Sequence, residues 1–151
     1  MVEGELIVNL MEEPDFVEQY VQLRNRHCDV LLTTPVNITD TKEWLKNNDI
    51  EIRGITRNNK LIGVTILYLN RQGEIAFFTS VTHQGVGSRL LSVIESVARE
   101  RGLSEVWAWV LSDNIIAQRT FEKSGYRRDR ESTKEYQKKT MNGFVLRKGL
   151  F

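Results

Sequence analysis

Between Thr79 and Val86 this 151-residue chain changes hydrophobic period, and that change most constrains its fold. Upstream, Glu51–Arg57 alternates apolar and polar residues, and Lys60–Leu69 is dense in β-branched ones. Asn58-Asn59 between them suits the left-handed positions of a two-residue hairpin turn. Arg71-Gln72-Gly73 reads as a second turn and Glu74–Thr79 as a further strand, so an antiparallel meander is expected. Downstream, Val86, Leu90, Leu91, Ile94, Val97 and Ala98 recur at helical spacing until Gly102 stops the pattern. A meander followed by a long amphipathic helix makes an α/β chain whose helix buries its apolar face on the sheet.

The remaining elements fit one domain over residues 1–151. Glu5–Leu10 reads as a first strand, and Pro14-Asp15 open a helix through Val17, Tyr20, Val21 and Leu23 that ends near Arg26 or His27. Cys28–Asn37, with Pro35, reads as a loop, and Thr39 or Asp40 is the expected cap of a short helix over Thr41–Asn47. Glu105–Leu111 is a strand, Asn114–Lys123 a helix, and strands follow after Gly125-Tyr126 and over Thr140–Lys148. No repeat or linker composition interrupts them. The expected architecture is a mixed, mostly antiparallel sheet of six or seven strands flanked by four helices.

Composition excludes several classes of function. Hydrophobic residues make up 40% and charged residues 27%, as in soluble globular proteins. No run approaches the roughly 18 apolar residues a membrane helix needs. Acidic residues near the N-terminus argue against an export signal, so a cytoplasmic location is expected. Net charge is +1, from 21 basic and 20 acidic residues, which offers no global field for nucleic acid or membrane. Arg127–Lys148 is locally basic, either as a solvated surface or as a patch facing an anionic ligand. Cys28 is the single cysteine and His27 and His83 the two histidines, so neither a disulfide nor a metal site is expected.

Thr82-His83-Gln84-Gly85-Val86-Gly87-Ser88-Arg89 joins a strand to the long helix. Gly85 and Gly87 lack Cβ atoms where the backbone turns, and the first helical turn offers unpaired N–H groups and a positive dipole end. A phosphate cradle and a plain tight turn are both consistent with that. A nucleotide P-loop is excluded because no Lys follows, and a dinucleotide motif because Leu90 stands where its third glycine belongs.

Gly85-x-Gly87-Ser-Arg-Leu-Leu, then Ala98 to Leu103, Val106-Trp-Ala-Trp-Val110 and Asn114 to Tyr126 follow in an order and spacing that resembles the GNAT N-acyltransferase superfamily, over roughly residues 74–133. The resemblance implies a central strand pair that splays apart to hold acetyl-CoA or another acyl-CoA. The strand edge at Phe77, Phe78 and Thr79 would pair with the pantetheine. Gln84, Gly85, Val86, Gly87, Ser88 and Arg89 would cradle the pyrophosphate. Asn114 would contact the cofactor arm, with Ala117 and Phe121 beside the thioester.

Two positions depart from the family pattern. Thr82 stands where the loop usually opens with Gln or Arg. Phe121 stands where the family often has a Tyr that protonates the departing thiolate. Glu74, entering the fourth strand, is the candidate general base. The resemblance implies acetyl transfer to a primary amine, and a small molecule such as an amino sugar is the expected acceptor. A protein N-terminus or lysine, or an acyl-CoA-binding domain without catalysis, are the alternatives. Arg24 and Arg26, at the end of the first helix, are candidates for an acceptor phosphate. The last strand, Phe144–Leu150, is expected to be exposed and to permit a homodimer, with a monomer equally open.

Overall fold

The computed structural model describes residues 4–82 and 84–151. Its strands are β1 (Glu5–Asn9), β2 (Ile50–Arg57), β3 (Lys60–Tyr68), β4 (Glu74–Thr79), β5 (Glu105–Leu111), β6 (Arg127–Tyr136) and β7 (Lys139–Gly149). Its helices are α1 (Val17–Asn25), α2 (Cys28–Leu31), α3 (Ile38–Trp44), α4 (Val86–Glu100) and α5 (Ile115–Lys123). The strands form one sheet in the order β1-β2-β3-β4-β5-β7-β6, antiparallel throughout except at β4–β5. Asn58 and Asn59 take φ of 51° and 67° at the β2–β3 turn, the left-handed conformation that short polar side chains tolerate.

Neighbouring strand residues point to opposite faces, and the apolar residues sort accordingly. On β3, Ile66 joins Leu10, Tyr20, Leu23, Ile52 and Phe78 beneath α1. Its neighbour Leu67 joins Ile75, Leu91, Ile94, Val106, Phe121 and Leu146 beneath α4 and α5. The helical stripe at Leu90, Leu91, Ile94, Val97 and Ala98 is buried, as its spacing predicts.

Three local expectations are corrected. Cys28–Asn37 is not all loop, because Cys28–Leu31 forms the short α2, ended by Leu32 at φ 54°. The second N-terminal helix starts at Ile38 rather than Thr41, because Asn37 caps it: extended at φ −118°, ψ 167°, its Oδ1 accepts from the Asp40 N–H at 2.7 Å. The closing strand is not an exposed edge. β7 lies between β5 and β6 with Val145 and Leu146 buried, so strand pairing between copies through β7 has no free edge to use.

A buried polar network anchors the middle of α4. Glu95 is 5% exposed; it accepts from the Tyr126 hydroxyl at 2.8 Å and from Lys148 Nζ at 2.8 Å. Lys148 also donates to the Ser124 carbonyl at 2.7 Å, which ties α4 to the end of α5 and to β7. Burial, then the neighbouring carboxylate, push the Tyr126 phenol well above its usual pKa. Glu95→Ala strands the Lys148 charge and should cost about 3 kcal/mol. Tyr126→Phe removes one hydrogen bond and should cost about 1 kcal/mol. Urea unfolding of both variants checks the order, and equal losses would mean that the ion pair is not the anchor.

Candidate functional site

The site begins where the sheet fails to close. β4 and β5 share a single register pair, Glu74 with Trp107, held by the Trp107 N–H to Gly73 carbonyl bond of 3.2 Å. Beyond it the strands part. β5 is held along its whole length by β7, and β4 by β3. The Ser80 N–H bonds the Ile62 carbonyl on the β3 side. By alternation Phe78, Ala76 and Glu74 turn their backbone groups to β3, while Ile75, Phe77 and Thr79 turn theirs to the gap. Phe78 is thereby separated from its neighbours in the expected cofactor edge. Its ring is buried against Tyr20 and His27, at centroid distances of 6.0 and 5.6 Å.

At the open end of the gap the chain turns into α4. Gly85 takes φ 72° as the helix cap, and among the described residues no side chain caps the first N–H groups. A Cβ on Gly87 would lie 3.0 Å from Phe77 Cε2 and 3.1 Å from Thr120 Cγ2, so glycine lets α4 approach β4 and α5 closely. These elements line a cleft of about 410 Å³ that includes Thr79, Gly85, Val86, Gly87 and Ser88. Its opposite wall is α5, with Ile116, Thr120, Arg119 and Lys123. The two cations, four residues apart on the face of α5 away from buried Gln118 and Phe121, were findable by helical spacing.

Arg89 is not on that cleft wall. Its guanidinium donates to Glu5 Oε1 at 2.9 Å and to the Gln84 carbonyl at 3.1 Å. Arg57 donates to the same Glu5 oxygen at 2.7 Å and to Gln84 Oε1 at 2.8 Å. The pair of arginines clamps β1 and β2 to the loop before α4. Hydrogen bonding from Arg57, helped by the charge of Arg89, holds the buried Glu5 carboxyl below its ordinary value of 4.5 against the opposing effect of burial. His83 lies outside the described residues.

Deeper in the gap, Asn114 caps α5 by accepting from the Ala117 N–H at 3.1 Å and also lines the cleft with Ala117. Phe121, 3% exposed, packs against Phe77 and Tyr126 with centroids 5.2 and 5.0 Å away. This inner cleft of about 110 Å³ continues to Arg24, Tyr68, Arg71, Glu74, Trp109 and Lys134. Glu74 is 8% exposed and lies 3.2 Å from Arg71 and 3.8 Å from Lys134. Lys134 also sits 4.8 Å from the Trp109 ring, and Arg71 4.2 Å from the Tyr68 ring. Gly143 on β7 has no Cβ because one would collide with the Trp109 indole, which lies across that strand. At the tip of the last hairpin, the Tyr136 hydroxyl donates to the Thr33 carbonyl at 3.0 Å. That contact bridges the cleft between the last hairpin and the segment after α2. Among the described residues no cluster of three metal-ligating side chains occurs, and no helix is long and apolar enough to cross a membrane.

A family model described as the acetyltransferase (GNAT) family matches residues 16–126. The chain belongs to the GNAT acetyltransferase family. Enzymes of this family take their acetyl group from acetyl-CoA. The uncharacterized protein YxbD of Bacillus subtilis is 33% identical over 75 residues, a match spanning 48% of this chain and 47% of that protein. The chain thus spans about half the length of that curated relative. Among solved structures, yncA from Salmonella typhimurium, held with its cofactor acetyl-CoA, superposes with a TM-score of 0.85 at 14% identity, covering 99% of this chain and 95% of the other. Spermidine N-acetyltransferase from Vibrio cholerae, in complex with CoA and spermine, gives 0.82 at 12% identity, covering 99% and 97%. At such identities the likeness is one of fold.

The Glu5 clamp yields a pH test. Because the folded carboxyl is held low, its stabilisation is fully present above pH 4.5 and is lost as pH falls through the lowered folded value. Glu5→Gln should therefore be less stable than the parent at pH 7, with the gap narrowing as the pH is taken below 4. Urea midpoints at several pH values measure it; a pH-independent gap would remove the carboxylate from the explanation.

Proposed function

We propose that the protein transfers the acetyl group of acetyl-CoA to a primary amine on a small molecule, and that Glu74 accepts the proton the amine loses. The observation that carries the small-molecule reading is the bridge from Tyr136 to Thr33, which roofs the acceptor side between the last hairpin and α2. A polypeptide acceptor needs an open channel at that place.

The residues fit the donor. The uncapped N–H groups of Val86, Gly87 and Ser88 suit a pyrophosphate, and Arg119 and Lys123 add the positive charge that Thr82 does not bring. The backbone groups of Phe77 and Thr79, turned to the gap, suit the amides of the pantetheine arm. Bound there, acetyl-CoA supplies a thioester whose carbonyl carbon takes the amine nitrogen as the C–S bond breaks. Glu74, at the closed end of the gap, stands where the amine arrives from the acceptor side, and it takes the ammonium proton directly or through water. Phe121 cannot donate a proton. A thiol with an ordinary pKa of about 8.5 is a tolerable leaving group, so solvent suffices to protonate the thiolate.

Thiol release from acetyl-CoA over a panel of small amines and peptides tests the reading. Glu74→Gln should lower kcat by about 100-fold with little change in KM for acetyl-CoA. Arg119→Gln with Lys123→Gln should raise KM for acetyl-CoA by about 10-fold. A kcat/KM higher for peptides than for every small amine would overturn the choice of acceptor.

A further inference from the structure

The acceptor side holds more positive charge than proton removal needs. Arg24, Arg71 and Lys134 converge on the same inner cleft, where Glu74 supplies the negative charge. A second lobe of about 360 Å³ opens from it between α1 and α3, sharing Arg24, Tyr68 and Arg71 and ending at Trp44. Asp40 also faces this lobe, but it is exposed and its Oδ2 already accepts from the Asn37 amide at 2.9 Å.

We propose that this second lobe is a subsite for an oxyanion group, carboxylate or phosphate, carried by the same small molecule that presents the amine at Glu74. The proposal rests on the acetyl-transfer reading above. Arg24 is half-buried in the last turn of α1, and among the described residues no carboxylate lies within 4 Å of it. Its hydrogen bond to Thr33 Oγ1 is a long 3.4 Å. A guanidinium withdrawn from water without a counter-ion is costly, and an incoming anion removes that cost. Arg71 engages Glu74 through one nitrogen of its fork, which leaves donors for a second oxygen.

One turn before Arg24, Tyr20 forms part of the lobe's wall. It is 1% exposed, and among the described residues its hydroxyl makes no well-aligned hydrogen bond, the Arg24 guanidinium being the charge beside it. Burial raises the phenol's pKa, so it stays a neutral donor suited to an anion. Trp44 stacks on Tyr20 at 6.2 Å and gives the lobe an apolar wall for the body of the ligand. A polyamine would bring like charges to Arg24, Arg71 and Lys134.

Calorimetric titration of the CoA-loaded protein with matched acceptors tests this. The probes are phenylalanine against phenylalaninamide, glucosamine 6-phosphate against glucosamine, and spermidine. The anionic member of at least one pair should bind at least about 30-fold tighter than its uncharged-tail partner, and the responding pair tells carboxylate from phosphate. Arg24→Gln should abolish that preference while leaving CoA affinity and the affinity of the uncharged-tail partner unchanged. If Arg24→Gln lowers the melting temperature substantially, Tyr20→Phe serves in its place, with the preference weakened rather than abolished. Equal or tighter binding of spermidine or the uncharged-tail partners, or no saturable binding by either anionic amine, overturns the proposal. Tight binding of an anionic amine without thiol release would instead sink acetyl transfer and leave the subsite standing. Turnover of spermidine alone would do the reverse.

Discussion

Everything at this site depends on the parting of β4 from β5 after one shared pair. A sheet that closed there would satisfy its own backbone and offer nothing to a ligand. Because β5 is zipped to β7 and β4 to β3, the two halves are each complete, and the gap survives as a line of backbone groups without strand partners. Unmet backbone groups are costly in a buried setting, so such an edge is stable only beside solvent or an extended ligand rich in amides. The pantetheine arm of acetyl-CoA is such a ligand. The close meeting of Phe77, Gly87 and Thr120 keeps the two halves wedged at the open end.

The helix that faces the open end must also be held still. Two carboxylates do this, one reaching the helix from β1 and one carried by the helix itself. Glu5 reaches from the edge strand to Arg89 in the first turns of α4, and Glu95 fixes the middle of the same helix to Lys148 and Tyr126. The partners come from β1 and β7, so the positioning of the α4 N-terminus draws on both ends of the chain. A charge that looked free for a phosphate in isolation, Arg89, is spent on this clamp. The cations that do face the cleft, Arg119 and Lys123, come from the next helix.

What could be read in advance follows from this. The Asn58-Asn59 turn, the apolar stripe of α4 and the glycine turn that leads into it are local properties, written within a few residues, and the structure agrees with each. Pairings across long separations were not legible. Nothing near Arg89 announces Glu5, 84 residues earlier. Nothing near Glu74 announces Lys134, which reaches it only because β6 and β7 fold back beside β5. The interior place of β7 was hidden for the same reason: its basic residues look like an edge, and its interior place comes from β6 pairing along its other side. The capping of α3 was missed because Asn37 competed with the equally suitable Thr39 and Asp40, and only tertiary context decides among such neighbours.

The distribution of unsatisfied groups shows what the fold gave up for function. Among the described residues, buried side-chain polar atoms without a partner are Glu5 Oε2, Arg57 Nε, Arg89 Nε, Tyr20 Oη and Trp109 Nε1. Three belong to the clamp behind the loop before α4 and two belong to residues lining the inner cleft and the lobe beside it. Each such group costs about 1–3 kcal/mol, and a core selected only for stability would replace them with apolar residues of the same shape. The clamp atoms have a local reason, since two guanidinium forks share one carboxylate oxygen and cannot both use every donor. Tyr20, beside the Arg24 guanidinium, and Trp109, beside Lys134, have no such shared acceptor among the described residues. Their cost is understandable if the cleft is completed from outside, by an acceptor whose polar atoms reach the walls when it binds. A Tyr20→Phe substitution then separates the accounts: stability should rise or hold, because a bare hydroxyl is removed, while acceptor affinity falls.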